Sequence, residues 1–171
     1  RIDETRRKMY NMISKTDRLY LTEAQESDIN MIMEIENHKD NRDFIWQGTY
    51  EQHLSEINDE NHLLLKFEKA EDRGIAGYCL IGLDRHSERF ELRRIAITEK
   101  GKGYGREAIK ALMDYAFTEL GMNKFWLDVY PDNKTGIALY ESLGLKKEGV
   151  LRQNYKSERG YLDQVVYSML R

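Results

Sequence analysis

The hydrophobic and polar positions of the chain switch between a period near 3.6 and a period of 2, and each switch marks an element. Arg1 to Lys15 reads as a charged, amphipathic helix or a partly ordered arm. A strand fits Arg18 to Thr22. Ser27 and Asp28 are capping residues ahead of Ile29, Ile32, Met33 and Ile35, which follow helical spacing. Thr49-Tyr-Glu-Gln52 has the form of a capping box and opens a short helix to about Asn58. From His62 the pattern is of strands. His62 to Glu68, Gly74 to Leu83 and Arg89 to Ile97 predict an antiparallel meander, with turns at Asp72 to Gly74 and Arg85 to Ser87. A long helix is predicted over Tyr104 to Leu120, where Ala108, Ile109, Leu112, Tyr115, Ala116 and Leu120 form an apolar stripe that Gly121 stops. A strand over Phe125 to Tyr130 follows, then a helix from Asn133 to Ser142 closed by Gly144. Two strands, about Leu145 to Tyr155 and Tyr161 to Leu170, complete a mixed α/β layout around one central sheet.

A length of 171 residues suits one domain, and with a single proline (Pro131), no low-complexity linker and no repeat, nothing divides it. The sole cysteine, Cys79, excludes an intrachain disulfide and reads as a small core residue in an apolar strand. The four histidines are scattered, so no metal site is expected. A net charge of −3 argues against nucleic acid as a partner. No apolar run reaches the ~18 residues of a membrane span, and the N-terminus lacks a signal-peptide core. The expectation is a cytoplasmic protein without a membrane partner.

Lys100-Gly-Lys-Gly-Tyr-Gly105 lies between a predicted strand and a predicted long helix. Glycines let successive N–H groups converge, and the helix N-terminus adds partial positive charge, which together suit a phosphate or pyrophosphate. Arg93, Arg94, Lys100, Lys102, Arg106 and Lys110 outnumber Glu99 and Glu107, a local +4. The Lys-Ser/Thr pair of a nucleoside-triphosphate loop is absent. In a dinucleotide fingerprint the third glycine would fall on Arg106, although Asp128, near the end of the next strand, keeps that reading open.

Further along, Asn133 and Tyr140 stand seven apart and share a helix face, in Asn133-Lys-Thr-Gly-Ile-Ala-Leu-Tyr140-Glu-Ser-Leu-Gly144. A strand, a glycine-rich loop of R/Q-x-x-G-x-G/A type, a helix, a strand and then N-x-x-A/G-x-x-x-Y-x-x-x-G-F/L resemble the GNAT superfamily of acetyl-CoA-dependent N-acetyltransferases, in the branch with ribosomal-protein-alanine and polyamine acetyltransferases. The resemblance covers about Arg18 to Leu170 and is sharpest from Glu91 to Gly144. It implies a single GNAT-like domain over 18–171, a mostly antiparallel twisted sheet flanked by helices, preceded by a helical arm over 1–17. It further implies that the backbone of Gly101, Lys102, Gly103, Tyr104, Gly105 and Arg106 holds the coenzyme A pyrophosphate. Ile95, Ala96 and Ile97 would pair with the pantetheine arm, Asn133 would contact it, and Tyr140 would sit near the thioester sulfur. Lys100 stands where the family has Arg or Gln.

Tyr140 is then the candidate proton donor to the departing thiolate, with aromatic packing as the bland alternative. Asn133 is equally a helix N-cap. Glu91 is the candidate base. Strict alternation places it with Arg93, Ile95 and Ile97, a parity that a bulge would reverse. An ordinary glutamate faces a gap of about six pKa units against a lysine-like ammonium, which a water relay or an α-amine already ~one sixth neutral at pH 7 narrows.

From Glu23 to Glu60 there are eleven acidic and two basic residues. Phe44, Trp46 and Tyr50 fall in this stretch and can stack on a cation. The field favours a cationic amine, whether a polyamine, an aminoglycoside, a protein N-terminus or a lysine. The expected activity is acetyl transfer from acetyl-CoA to a primary amine. A non-catalytic acyl-CoA-binding regulatory module of the same fold is the alternative. Oligomeric state gives no signal in the sequence, and a homodimer stays open.

Overall fold

One eight-stranded sheet organises residues 11–171, the residues that the computed structural model describes. Its strands are β1 (Met12–Lys15), β2 (Leu19–Glu23), β3 (His62–Lys69), β4 (Ile75–Asp84), β5 (Arg89–Ile97), β6 (Lys124–Val129), β7 (Lys146–Ser157) and β8 (Gly160–Leu170). The helices are α1 (Ile29–Asn37), α2 (Tyr50–Asn58), α3 (Tyr104–Asp114) and α4 (Lys134–Ser142). Strand order is β1-β2-β3-β4-β5-β6-β8-β7. Every neighbouring pair is antiparallel except β5 with β6.

Two apolar layers cover the sheet. On one face Cys79, Ile81, Phe90, Leu92, Phe125 and Leu127 pack against Ala108, Ile109 and Leu112 of α3 and Tyr140 of α4. On the other, Leu64, Tyr78, Leu80 and Ala96 pack against Ile32 and Ile35 of α1. The capping box forms as spelled: the Thr49 hydroxyl accepts from the Gln52 N–H at 3.2 Å, and Gln52 Oε1 accepts from the Thr49 N–H at 2.8 Å. Gly121 and Gly144 stop their helices at φ of 63° and 90°, where other residues are strained.

Two expectations change. Met12–Lys15, expected in a helical arm, forms the edge strand β1 on β2, and the rest of the expected helix, residues 1–10, lies outside the described residues. The long helix is α-helical only to Asp114. Tyr115–Glu119 widen into a π turn, in which the Leu120 N–H donates to the Tyr115 carbonyl at 3.1 Å.

Two irregularities of the sheet shape the site. β5 and β6 pair only at Arg89–Lys124, Phe90–Phe125 and Glu91–Trp126, while β5 runs on to Ile97 and β6 to Val129. Beyond that junction the strands splay, and their facing backbone edges are unpaired. In β5, Leu92 opposes Ile81 and Arg94 opposes Leu80, so Arg93 is the extra residue of a bulge.

Candidate functional site

The glycine loop closes one end of the splay. Gly101 and Gly103 lie at φ of 77° and 80°, and Gly103 caps α3. The first-turn N–H groups of a helix have no intrahelical acceptor, so this loop presents a set of free donors. Arg18 braces it from β2's side: Nη1 donates to the Lys102 carbonyl at 3.0 Å, Nε pairs with Glu107 at 2.8 Å, and the guanidinium lies 4.6 Å from the Tyr104 ring. Tyr104 itself is buried. The local basic side chains are largely occupied. Lys102 pairs with Glu99 at 2.7 Å, Lys69 pairs with the same carboxylate, and Arg106 donates to Ser142 Oγ at 2.7 Å. Lys100 donates to Asn41 Oδ1 at 2.5 Å, tying the loop to the segment after α1. The donors left unpaired at the loop are backbone N–H groups.

Ile95 and Ile97 pack on the α3/α4 face, and Ala96 is buried on the α1 face. The Asn133 side chain accepts from the Gly136 N–H at 3.0 Å, so it caps α4. Tyr140 is 7% exposed, and burial, with a further push from the Asp128 charge, raises its hydroxyl to about 12.

The expected parity of Glu91 is overturned. Because Arg93 is the extra residue of the bulge, Glu91 stands on the opposite face from Ile95 and Ile97, with Arg94 and Ala96. There it lines a cleft of about 180 Å³ with Asn61, His62, Gly82, Arg93 and Trp126. A Cβ at Gly82 would stand 3.0 Å from Arg93 Cδ and 3.3 Å from Glu91 Oε2, so glycine leaves room for both side chains. Burial raises the Glu91 pKa; Arg93 opposes this and Asp128 adds to it.

Asp128 is the functional candidate that sequence reasoning weighed only as a dinucleotide contact. Phe125, Leu127 and Val129 face the core, which puts Trp126 and Asp128 on the cleft side. That alternation was the available signal. The carboxylate accepts from Gln164 Nε2 of β8 at 3.0 Å, and burial raises its pKa against a weaker opposing pull from Arg93.

Phe44, Trp46 and Tyr50 do not converge. Phe44 is 43% exposed, Tyr50 donates to Glu26 at 2.9 Å, and Trp46 lies over the Arg94 guanidinium at 4.5 Å. Beneath Trp46 is a buried ionic network. Glu36 accepts from the Gly48 N–H at 3.1 Å, from His53 Nε2 at 2.8 Å and from the Tyr78 hydroxyl. His53 Nδ1 meets Glu56 at 2.8 Å, and Arg94 pairs with Glu56. With both ring nitrogens on carboxylates, His53 is an imidazolium. Burial opposes that charge, but the bonds to Glu36 and Glu56 outweigh it and raise the pKa to about 9.

The family model described as an acetyltransferase (GNAT) domain matches residues 18–146. A spermidine N(1)-acetyltransferase of Vibrio cholerae is 26% identical over 154 residues, 85% of this chain and 88% of that protein. An uncharacterized N-acetyltransferase, p20, of Bacillus licheniformis is 39% identical over 71 residues, but that match spans only 42% of this chain and 40% of p20. The [ribosomal protein bS18]-alanine N-acetyltransferase of Salmonella typhimurium is 34% identical over 68 residues, 40% of this chain and 45% of that protein. Among solved structures, the Vibrio cholerae spermidine N-acetyltransferase in complex with CoA and spermine superposes with a TM-score of 0.80 at 23% identity, covering 91% of this chain and 96% of that one.

Proposed function

The chain belongs to the GNAT family of acetyltransferases and is an N-acetyltransferase, and on that premise we propose that it passes acetyl directly from acetyl-CoA to a primary amine of a cationic acceptor. The splay between β5 and β6 carries this reading. The glycine loop stands toward its open end, and a cleft lined by Glu91, Arg93 and Trp126 opens beside its closed end. The backbone of Gly101 to Arg106 fits a pyrophosphate, since both positive-φ glycines shape a cradle that needs no side-chain cation. The unpaired edge at Ile95 to Ile97 offers hydrogen bonds to the amides of the pantetheine arm, as an added strand would. Asn133, while capping α4, would contact that arm. Two acetyltransferases among the relatives, named for spermidine and for a ribosomal protein alanine, have amine acceptors.

Tyr140 donates its proton to the departing thiolate. An ordinary tyrosine near 10 against a thiol near 8.5 makes that transfer uphill by about 2 kcal/mol. Burial raises both groups, so a hydroxyl held near 12 stays protonated until a desolvated thiolate needs it. Cys79 is fully buried and its thiol is pushed far up by burial, so it is no acetyl carrier. Free-thiol release over a panel of amines at fixed acetyl-CoA tests the reading. Saturable release with spermidine or a basic peptide N-terminus is expected; release with no amine, or a preference for acidic amines, overturns it.

A further inference from the structure

Arg159 ties three separate segments together toward the open end of the β5–β6 gap. It lies in the turn between β7 and β8, where Gly160 takes a φ of 97°. Ser157 Oγ fixes that turn, accepting from the Arg159 N–H at 3.0 Å and donating to the Gly160 carbonyl at 3.1 Å. From there Arg159 Nη1 donates to Asp132 Oδ2 at 2.6 Å, in the connection from β6 to α4. Nη2 donates to the Asp43 carbonyl at 2.7 Å, in the segment between α1 and α2. The guanidinium also lies 5.9 Å from the centre of the Tyr130 ring. Tyr130 continues the alternation of Trp126 and Asp128 on the α1 face, and Tyr155 of β7 stacks on it at 6.1 Å. A carboxylate, a carbonyl and an aromatic face around one positive charge make a cation site, and its occupant here is the chain's own arginine. The bond to Asp132, with the charges of Asp132 and Asp43, raises the Arg159 pKa against burial, so the local field favours a cation. The side chains of Arg159 and Asp132 are 36% and 54% exposed. Exposed ion pairs hold weakly, so a cation from outside can displace this one.

Resting on the acetyltransferase reading of this gap, we propose that Asp132, the Asp43 carbonyl and the Tyr130 ring form a pocket for a second cation of the acceptor, which Arg159 fills at rest and a distal positive charge of the acceptor takes over. Four residues along the chain separate Asp132 from Asp128, where the strands have parted, a span of at most ~13 Å at about 3.3 Å per residue. An acceptor whose second charge stands several bonds from the reacting amine reaches both places. The distal ammonium of a polyamine and a basic side chain of a peptide share this chemistry. A monoamine reaches only the gap and leaves Arg159 seated. The pocket therefore selects acceptors by a charge that takes no part in the reaction. Because Arg159 competes for the same carboxylate, removing Arg159 and removing the charge of Asp132 act in opposite directions.

The test compares Asp132→Asn and Arg159→Ala in the full chain with two pairs of acceptors. One pair is spermidine and n-butylamine; the other is an alanine-terminated tripeptide amide ending in arginine and its glutamine counterpart. In at least one pair, the ratio of KM for the acceptor with the extra charge to KM for its partner should rise about fivefold in Asp132→Asn and fall about threefold in Arg159→Ala. Calorimetric Kd ratios without acetyl-CoA should move the same way. The pair that responds identifies the source of the second cation. Asp132 adjoins the Asn133 cap, so if its variant does not fold, Arg159→Ala in the exposed turn decides alone. Ratios within twofold of the unaltered protein for both pairs, or a rise in both variants as a purely structural latch would give, overturn the pocket. Absence of thiol release with every amine, while the calorimetric ratios shift as expected, would instead sink the acetyltransferase reading and leave the pocket standing.

Discussion

The glycine loop and the α1–α2 wall handle charge by opposite means. The loop is built from backbone. Its donors are N–H groups fixed by two positive-φ glycines, and its lysines and arginines are turned to Glu99, Asn41 and Ser142. The wall is built from side chains. Glu36 and Glu56 spend their charge internally on His53 and Arg94, below Trp46. A run of local positive charge and a run of local negative charge therefore mean different things here. In the first the basic side chains are already taken up by neighbours within the chain. In the second, part of the charge is a structural element, spent on His53 and Arg94 beneath Trp46.

If the wall is structural, its rupture should cost stability before it costs affinity. Glu36→Ala leaves His53 and Arg94 with Glu56 alone as their counter-charge and should destabilise the protein by roughly 3–5 kcal/mol in urea unfolding. A loss below about 1 kcal/mol would show that the network is not holding α1 and α2 to the sheet. Between the two regions, Tyr140→Phe removes only the hydroxyl and keeps the ring. Its kcat should fall ~10²–10⁴-fold with little change in acetyl-CoA KM, and an unchanged kcat where chemistry limits the rate removes Tyr140 from the mechanism. On the loop side, Gly103→Val places a β-branched residue at φ 80° in the cradle. Acetyl-CoA affinity should drop at least ~100-fold, about 3 kcal/mol, while the fold remains; calorimetric binding within threefold would mean that the cradle lies elsewhere.

Acidity separates the regions again. His53 titrates near 9 when folded and near 6.5 when unfolded, so its contribution is fully present below about pH 6.5 and is lost as pH rises through about 9. That contribution is on the order of 3 kcal/mol. Urea midpoints at pH 6 and 9.5 should show the loss, and His53→Gln should flatten it. The smallest effect is expected of Trp46→Ala, which uncovers Arg94 and should cost ~0.5–2 kcal/mol of stability. A larger change in acceptor KM than in stability would return Trp46 to the acceptor site.

The same contrast explains what the chain disclosed on reading. Gly101, Gly103, Gly121 and Gly144 are legible because a positive φ is a local property that glycine satisfies wherever it stands. Thr49 and Gln52 are legible because a capping box closes within four residues. The Arg93 bulge was not, since an extra residue in β5 exists only relative to its register with β4, and it reversed the face of Glu91. Nor was the buried network, whose carboxylates sit on short helices with the spacing of solvent-facing charges and find their partners on β4 and β5. The short strand β1 escaped notice because its hydrogen bonds come from β2 rather than from any alternation of its own four residues.

Acetyl transfer straight across the β5–β6 gap, with no acetyl-enzyme on the way, is the claim on which the rest depends. Initial rates with acetyl-CoA and the amine varied together test it most directly. If the loop and the acceptor site bind their substrates independently and hold them at once, double-reciprocal plots should intersect, the mark of a ternary complex. Parallel lines, with acetyl retained on the protein after acetyl-CoA alone is supplied, would contradict it.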